Sequence, residues 1–470
     1  MKSPANVVSY LALGIFLFAA EFYTLGMSPG HSPLMLVSHV LLLGVVLFHL
    51  GMHLFDSKPS FADASVVVFE ITFLILAPAL QLAHDAQVLV NTMPFDDTSA
   101  LHANLIFIVF IVTYLGARHL LPRTIQASTA RASEPLTIRY AALIPALAIC
   151  VVAAMSAFNF ASQLQAGDLD GIDVTPLDMI RAKVLFFLIV PVFILIVLHR
   201  PRRIGLVWIA LALFAFVLLL ICQNPLTEKR NALGPIYLTL LALAFQRHLK
   251  SPSRVFWAIF VLSGLFFPFS ELFTNSRIDK WPLSWATIES FFEEHFASTT
   301  YDAWANTEAI VEMVSREGIN AGRQLAGSLL FFVPHTVWPD KPLATAILVG
   351  EYLQRNYSMW FLNLSAPLPA EGYFDFSWAG VVAYGFLLGH FSRRADALVE
   401  SPIPLRRALG CYLSFYVVFV LRGSLMVAVA YVVPVLVTFQ LVSVLLTSRE
   451  NRRAEPRTAR PLYSGMARRK

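Results

Sequence analysis

The chain has 470 residues, of which 57% are hydrophobic and only 14% charged, with a formal net charge of +5. Soluble domains carry about 25% charged residues, so this composition excludes an ordinary soluble protein. No nucleic-acid partner is expected. Cys150, Cys222 and Cys411 lie singly in apolar runs, which argues against a disulfide framework or a zinc site and for buried thiols.

One bilayer crossing takes about 20 apolar residues. About twelve stretches of that kind follow in order, over 7–25, 34–54, 64–83, 101–120, 138–158, 184–198, 204–222, 232–245, 255–269, 378–391, 408–421 and 426–446. The predicted fold class is therefore all-α, a polytopic membrane protein with about twelve transmembrane helices. The first run is too long for the apolar part of a leader and is followed by no small-residue cleavage site, so it is read as a retained helix.

Lys and Arg give the orientation. With the amino terminus inside, the inner segments hold Lys2, Lys58, Arg118, Arg123, Arg131, Arg139, Arg200, Arg202, Arg203, Arg247, Lys250, Arg254, Arg393, Arg394, Arg406 and Arg407. The loops near Gly30, Asp96 and Asp168 hold none. Both termini are then cytoplasmic. The expected organisation is an integral membrane domain over 1–447, with a large outer loop at 271–377, and a basic tail at 448–470. The tail is read as solvated, with lipid headgroups as its other possible partner.

The large outer loop has internal order. Trp304, Ile310, Val311 and Val314 fall on one face of a helix ending near Gly318. The apolar stretch 325–333 is too short to cross and reads as interfacial or re-entrant. Inside the spans, Glu21 lies near an outer helix end where water reaches it. Glu70 is deeper and reads as a buried hydrogen-bonding group or a proton relay.

Several cations break the positive-inside pattern: Arg181, Lys183, Lys229, Arg230, Arg277, Arg323, Lys341, Arg355 and Arg422. Spread over separate outer loops, they either snorkel or pair locally, or converge on an anion. Phosphate suits guanidinium forks best. Pro334, Pro339 and Pro342 stiffen the segment Pro334-His335-Thr336-Val337-Trp338-Pro339-Asp340-Lys341-Pro342. Farther on, Glu371 precedes the span at 378–391. A carboxylate among apolar residues has a raised pKa and suits a general base. The same position also suits a charge at a helix N-terminus. His335 is the second candidate for the base. No His, Asp or Glu cluster has metal-ligand spacing, so no metal or cofactor is expected.

Phe332-Val333-Pro334, Trp338-Pro339-Asp340-Lys341-Pro342, Ser365-Ala366-Pro367 with Glu371, and Gly380 together resemble the large-loop signature of Wzy-type polysaccharide polymerases. These are oligosaccharide repeat-unit polymerases that include O-antigen polymerases. Lys229-Arg230-Asn231 resembles the family's basic patch, Leu421-Arg422-Gly423-Ser424 its late Arg-Gly turn, and Asp302-Ala303-Trp304 the polar-aromatic start of its loop helix. The resemblance runs in order over about 181–431.

It implies a fold like that of the integral-membrane glycosyltransferases of the C type, and work at the periplasmic face of the bacterial inner membrane. The reaction would move a growing glycan from undecaprenyl pyrophosphate onto a new lipid-linked repeat unit. Membrane lipids and a polysaccharide chain-length regulator are the implied partners. Arg230, Arg277, Lys341 and Arg422 would clamp one pyrophosphate, and Arg181 and Lys183 the other. Trp304, Trp338 and Tyr373 would stack on sugars or serve as interface-belt residues. A ligase of finished O-antigen, which would use a loop histidine, and a lipid-linked oligosaccharide transporter are the competing expectations.

Overall fold

Backbone polar groups in lipid must be satisfied within the segment, so apolar runs of this length fold as helices. The computed structural model describes residues 4–27, 32–85, 87–120, 136–138, 140–166, 176–198, 205–224, 230–266 and 295–449. Helix fills each expected stretch within them: α1 (Pro4–Met27), α2 (Pro33–Leu54), α3 (Phe61–Phe69), α4 (Ala77–His84), α5 (Asp97–Leu115), α6 (Tyr140–Ala166), α7 (Pro176–Phe187), α8 (Ile189–Leu198), α9 (Leu206–Cys222), α10 (Arg230–Ala244) and α11 (Pro252–Val261). The large loop adds α12 (Ala303–Glu317), α13 (Arg323–Leu329) and α14 (Thr345–Tyr357), before α15 (Leu368–Val399), α16 (Pro404–Arg422) and α17 (Leu425–Leu446).

Among the described residues, eight helical segments are long and apolar enough to cross a membrane, and Leu206–Cys222 and Leu233–Ala244 are shorter apolar helices. The remaining expected crossings fall in α11 with its following π-helical turn and in the second half of α15. Side chains mark several helix starts. Ser32 accepts from the Met35 N–H at 3.2 Å, Ser60 from Asp63 at 3.0 Å, and Asp96 from Ser99 at 2.8 Å. Each supplies a partner that the first helical turn lacks.

α5 runs the length of the bundle and packs along α2 and α15. Its first turns meet α12, through Trp304 Nε1, which donates to Asn104 Oδ1 at 2.9 Å. We call this the cap end. At the opposite end lies a buried ionic network. Asp63 Oδ1 accepts from Tyr114 Oη at 2.9 Å and lies 2.8 Å from Arg118 Nε, while Oδ2 faces His53 Nδ1 at 2.9 Å. His49 bridges Asp63 at 3.2 Å and Glu70 at 2.8 Å. Arg118 Nη2 continues to Asp396 at 2.6 Å. Glu70 opens the π-helical turn Glu70–Leu76, and Arg118 lies in the π-helical turn Gly116–Leu120.

Glu21 corrects the sequence reading. It is buried, not solvated, and its carboxylate meets His39 Nε2 at 2.5 Å. Glu70 is buried against His49, as a hydrogen-bonding group would be. The three cysteines are free and buried. Of the expected tail, only 448–449 is described, within a strand (Thr447–Arg449) that pairs antiparallel with Leu136–Ile138.

Removing one member of a buried ion pair costs about 3–5 kcal/mol, because its partner is left uncompensated. Arg118→Ala is therefore expected to lower the thermal midpoint of the detergent-solubilised protein sharply. Asp63→Asn combined with Arg118→Ala should recover part of the loss, and equal midpoints for wild type and Arg118→Ala would contradict this role.

Candidate active site

The site is organised by an elbow in α15. Helical geometry stops at Phe376 (φ −140°, ψ 20°) and Ser377 (φ 53°, ψ −143°), and the two legs fold onto each other. Gly372 and Gly380 are the contact point: a Cβ on Gly380 would lie 1.9 Å from the Gly372 carbonyl oxygen. No side-chain adjustment relieves a clash with backbone, so both legs depend on glycine here. Asp375, at the end of the first leg, accepts from the Gln324 and Leu325 N–H groups at 3.1 and 2.9 Å and from Tyr384 Oη at 3.2 Å. It thereby caps α13 and ties the large loop to the bundle.

The first leg buries Glu371, which is 1% exposed. Its carboxylate accepts from Ser424 Oγ at 2.9 Å and from the Leu425 N–H at 2.8 Å. Glu371 is thus a helix N-terminal charge twice over, in the first turn of its own helix and as the acceptor at the start of α17. Burial pushes its pKa up to about 7, against the opposing hydrogen bonds, which include those from Leu425 and Ser424. The carboxyl changes charge near neutral pH, in the range a general base needs.

Arg422, at the end of α16, borders the same corner. Its Nη2 donates to the Thr299 carbonyl at 3.3 Å and lies 3.6 Å from Asp302 Oδ1. Its buried Nε has no hydrogen-bond partner among the described residues. Asp302 Oδ2 accepts from the Ser365 N–H at 3.0 Å and from Asn306 Nδ2 at 2.9 Å, which holds the Ser365-Ala366-Pro367 segment against α12. Lys183 lies 4.0 Å over the Tyr431 ring, and that ring packs edge-on against Phe419, one turn before Arg422. Glu371, Arg422 and Ser424 therefore gather around the α16–α17 corner, and Lys183 lies farther along α17, over Tyr431.

Other predicted residues take different roles. Lys341 Nζ donates to the Phe331 and Val333 carbonyls at 2.6 and 2.9 Å, and burial lowers its pKa. Arg323 donates to the Asp340 carbonyl at 2.6 Å. Both cations thus close the proline-rich turn, where proline leaves carbonyls without neighbouring N–H donors. His335 is exposed, Trp338 half-buried and Arg181 exposed. Arg230 opens α10; its side chain, like all of Arg277 and Lys229, lies outside the described residues.

Trp304 is 0% exposed, with its indole N–H on Asn104, so no ring face is open to a sugar. Its apolar helical spacing with Ile310 and Val311 was the signal for burial. Tyr373 is half-buried and lines a cavity of about 500 Å³ with Asp96, His102, Glu312, Arg316 and Tyr357 among its walls. Sequence reading missed this cavity, because its walls come from segments far apart in the chain.

No family model, curated protein or solved structure matches the chain. Among the described residues, no group of three or more His, Cys, Asp or Glu side chains is arranged to hold a metal.

Two outcomes test the site. A carboxyl with folded pKa raised from 4.5 to about 7 stabilises fully below the lower value and loses that contribution as pH rises through the upper one. Between about pH 5 and about pH 8, wild type should therefore lose about 3 kcal/mol relative to Glu371→Gln, read from paired thermal melts. A constant difference across that range would place the titration elsewhere. Gly380→Ala should separate the elbow legs and cost about 1–3 kcal/mol; an unshifted midpoint would contradict the close approach.

Proposed function

We propose that the chain is a metal-independent glycosyltransferase of the bacterial inner membrane that polymerises undecaprenyl-pyrophosphate-linked repeat units into a surface polysaccharide. The observation that supports the reading is the α16–α17 corner at the cap end, where a buried carboxyl whose pKa is pushed up to about 7 bonds Ser424, two residues after Arg422. The cap end is assigned to the periplasm and both termini to the cytoplasm. Lys58, Arg118, Arg393, Arg394, Arg406 and Arg407, which lie at the other end, support this orientation.

In the proposed reaction, a hydroxyl of the lipid-linked acceptor unit attacks the anomeric carbon of the growing glycan. The bond from that carbon to pyrophosphate oxygen breaks, and undecaprenyl pyrophosphate leaves with the electron pair. The hydroxyl proton passes to Glu371, or in its place to His335. Negative charge develops on the leaving group, where preorganised cations in a water-poor site act most strongly. Arg422, Lys183 and Arg181 are the described candidates, with Arg230 and Arg277 as further ones. Lys341 contributes by holding the loop. The architecture proposed is that of C-type integral-membrane glycosyltransferases, and a chain-length regulator is the proposed protein partner.

A second reading, transfer of finished glycan to lipid A core, is favoured by the exposure of His335 on the loop. A glycan ladder from the native host separates the two. With Arg422→Ala or Glu371→Gln at matched membrane abundance, collapse to a single repeat unit on the lipid core supports polymerisation. Full-length glycan accumulating on the carrier supports ligation. An unchanged ladder in both variants removes these residues from the chemistry.

A further inference from the structure

The cavity beside Tyr373 differs in chemistry from the cation-lined corner. Its volume of about 500 Å³ falls within the range of small-ligand pockets. One wall is the loop 87–95, a tight turn in which Thr92 has φ 66°. Asn91 Nδ2 fixes that loop by donating to Asn306 Oδ1 at 3.1 Å, and the Leu89 N–H donates to the Met93 carbonyl at 2.9 Å. Left-handed backbone at a threonine is strained, and such strain persists where the surroundings hold it and tends to mark ligand sites. The opposite wall is preorganised by Glu312 Oε1, which accepts from Tyr357 Oη at 2.6 Å and Tyr352 Oη at 3.0 Å and pairs with Arg316. Tyr373 is braced edge-on by Trp378, with ring centroids 5.5 Å apart.

The charge of the cavity is the informative part. Among the described residues, Asp96, Glu312 and His102 line it, and Arg316 is the one arginine or lysine there. Behind Asp96, Glu308 is fully buried on α12, and neither of its oxygens has a hydrogen-bond partner among the described residues. Burial first, and the neighbouring Asp96 and Asp97 next, hold its pKa well above the usual carboxyl range. Asp96 and Glu312 place carboxylates on two walls of the cavity, and these repel another anion. Hydroxyls and ammonium groups, by contrast, find acceptors in Asp96 and Glu312 and aromatic surface on the tyrosines.

We propose that this cavity seats a short stretch of the glycan and selects uncharged or amino-bearing sugars over uronic acids and phosphorylated groups. Tyr373 and Tyr357 supply its aromatic surface, and Asp96 and Glu312 its hydrogen-bond acceptors. The ligand class rests on the polymerase reading. Tyr373 follows Glu371 by two residues on the same leg of α15, so the cavity and the α16–α17 corner share one helix but open from different faces of it.

The test is saturation-transfer NMR on the purified full-length protein in nanodiscs, with chitotriose, its de-N-acetylated amino form and trigalacturonate as probes at millimolar concentration. At least one of the first two is expected to bind, and trigalacturonate is not. Tyr373→Ala should weaken binding by about tenfold, as loss of an aromatic platform does. Ser315→Trp, which fills the cavity from an exposed position with little demand on folding, should abolish it. Binding of trigalacturonate equal to that of the other probes, failure of both non-acidic probes, or binding that survives Ser315→Trp overturns the proposal. An unchanged glycan ladder in Arg422→Ala and Glu371→Gln with saccharide binding intact would defeat the catalytic corner alone. A collapsed ladder with no saccharide binding would defeat this subsite alone.

Discussion

Asp63 is the residue on which the bundle turns. Its carboxylate lies inside a membrane-embedded core, where an uncompensated charge costs several kcal/mol. That cost is offset by drawing in Tyr114 and Arg118 from the α5 segment and His49 and His53 from α2, and through Arg118 it reaches Asp396 on α15. Those are the elements that also carry the cap. α5 ends in this network at one end and begins under α12 at the other; α15 ends near Asp396 and carries Glu371 in its first turn. Satisfying one buried charge thus fixes the rotation and register of the helices that form the candidate site.

The cap is assembled on that base by polar side chains that reach across long sequence gaps to backbone groups. Asp302 holds Ser365, Asp375 caps α13, Glu371 caps α17 and Lys341 closes the proline turn. Each satisfies backbone groups that an irregular segment leaves without partners. The same contacts position chemistry: burial pushes the Glu371 pKa up to about 7 while the capping hydrogen bonds from Leu425 and Ser424 oppose it. Cations meant for an anion and cations that staple a loop are chemically alike, and only their partners separate Arg422 from Lys341.

Much of the fold was legible because lipid imposes a simple rule. Long apolar runs had to be helices, and helices stand at each of them. α12 was legible from Ile310, Val311 and Val314 with its stop at Gly318, where φ is +86°. Less was legible wherever meaning depended on a distant partner. Arg118 reads as an ordinary inside charge until Asp63 is brought to it. Glu21 reads as solvated until His39 faces it. Trp304 reads as a sugar platform only if its apolar neighbours on the helix are set aside; they were the sign that it faces the core. The Tyr373 cavity left no local signal, since Asp96, Glu312 and Tyr357 meet only after α5, α12 and α14 pack. Gly380 was marked by motif alone, and its physical reason is the backbone of Gly372 against it.

The central claim is that this protein joins lipid-linked glycan units at the cap end of the bundle. Its most direct test is reconstitution of the purified chain in proteoliposomes with a defined undecaprenyl-pyrophosphate-linked repeat unit, followed by analysis of the lipid-linked products. The account predicts a ladder of lengthened glycan on the carrier, with one free undecaprenyl pyrophosphate released per linkage and no requirement for added metal. Movement of intact repeat units across the bilayer without lengthening, and without release of pyrophosphate lipid, would contradict it.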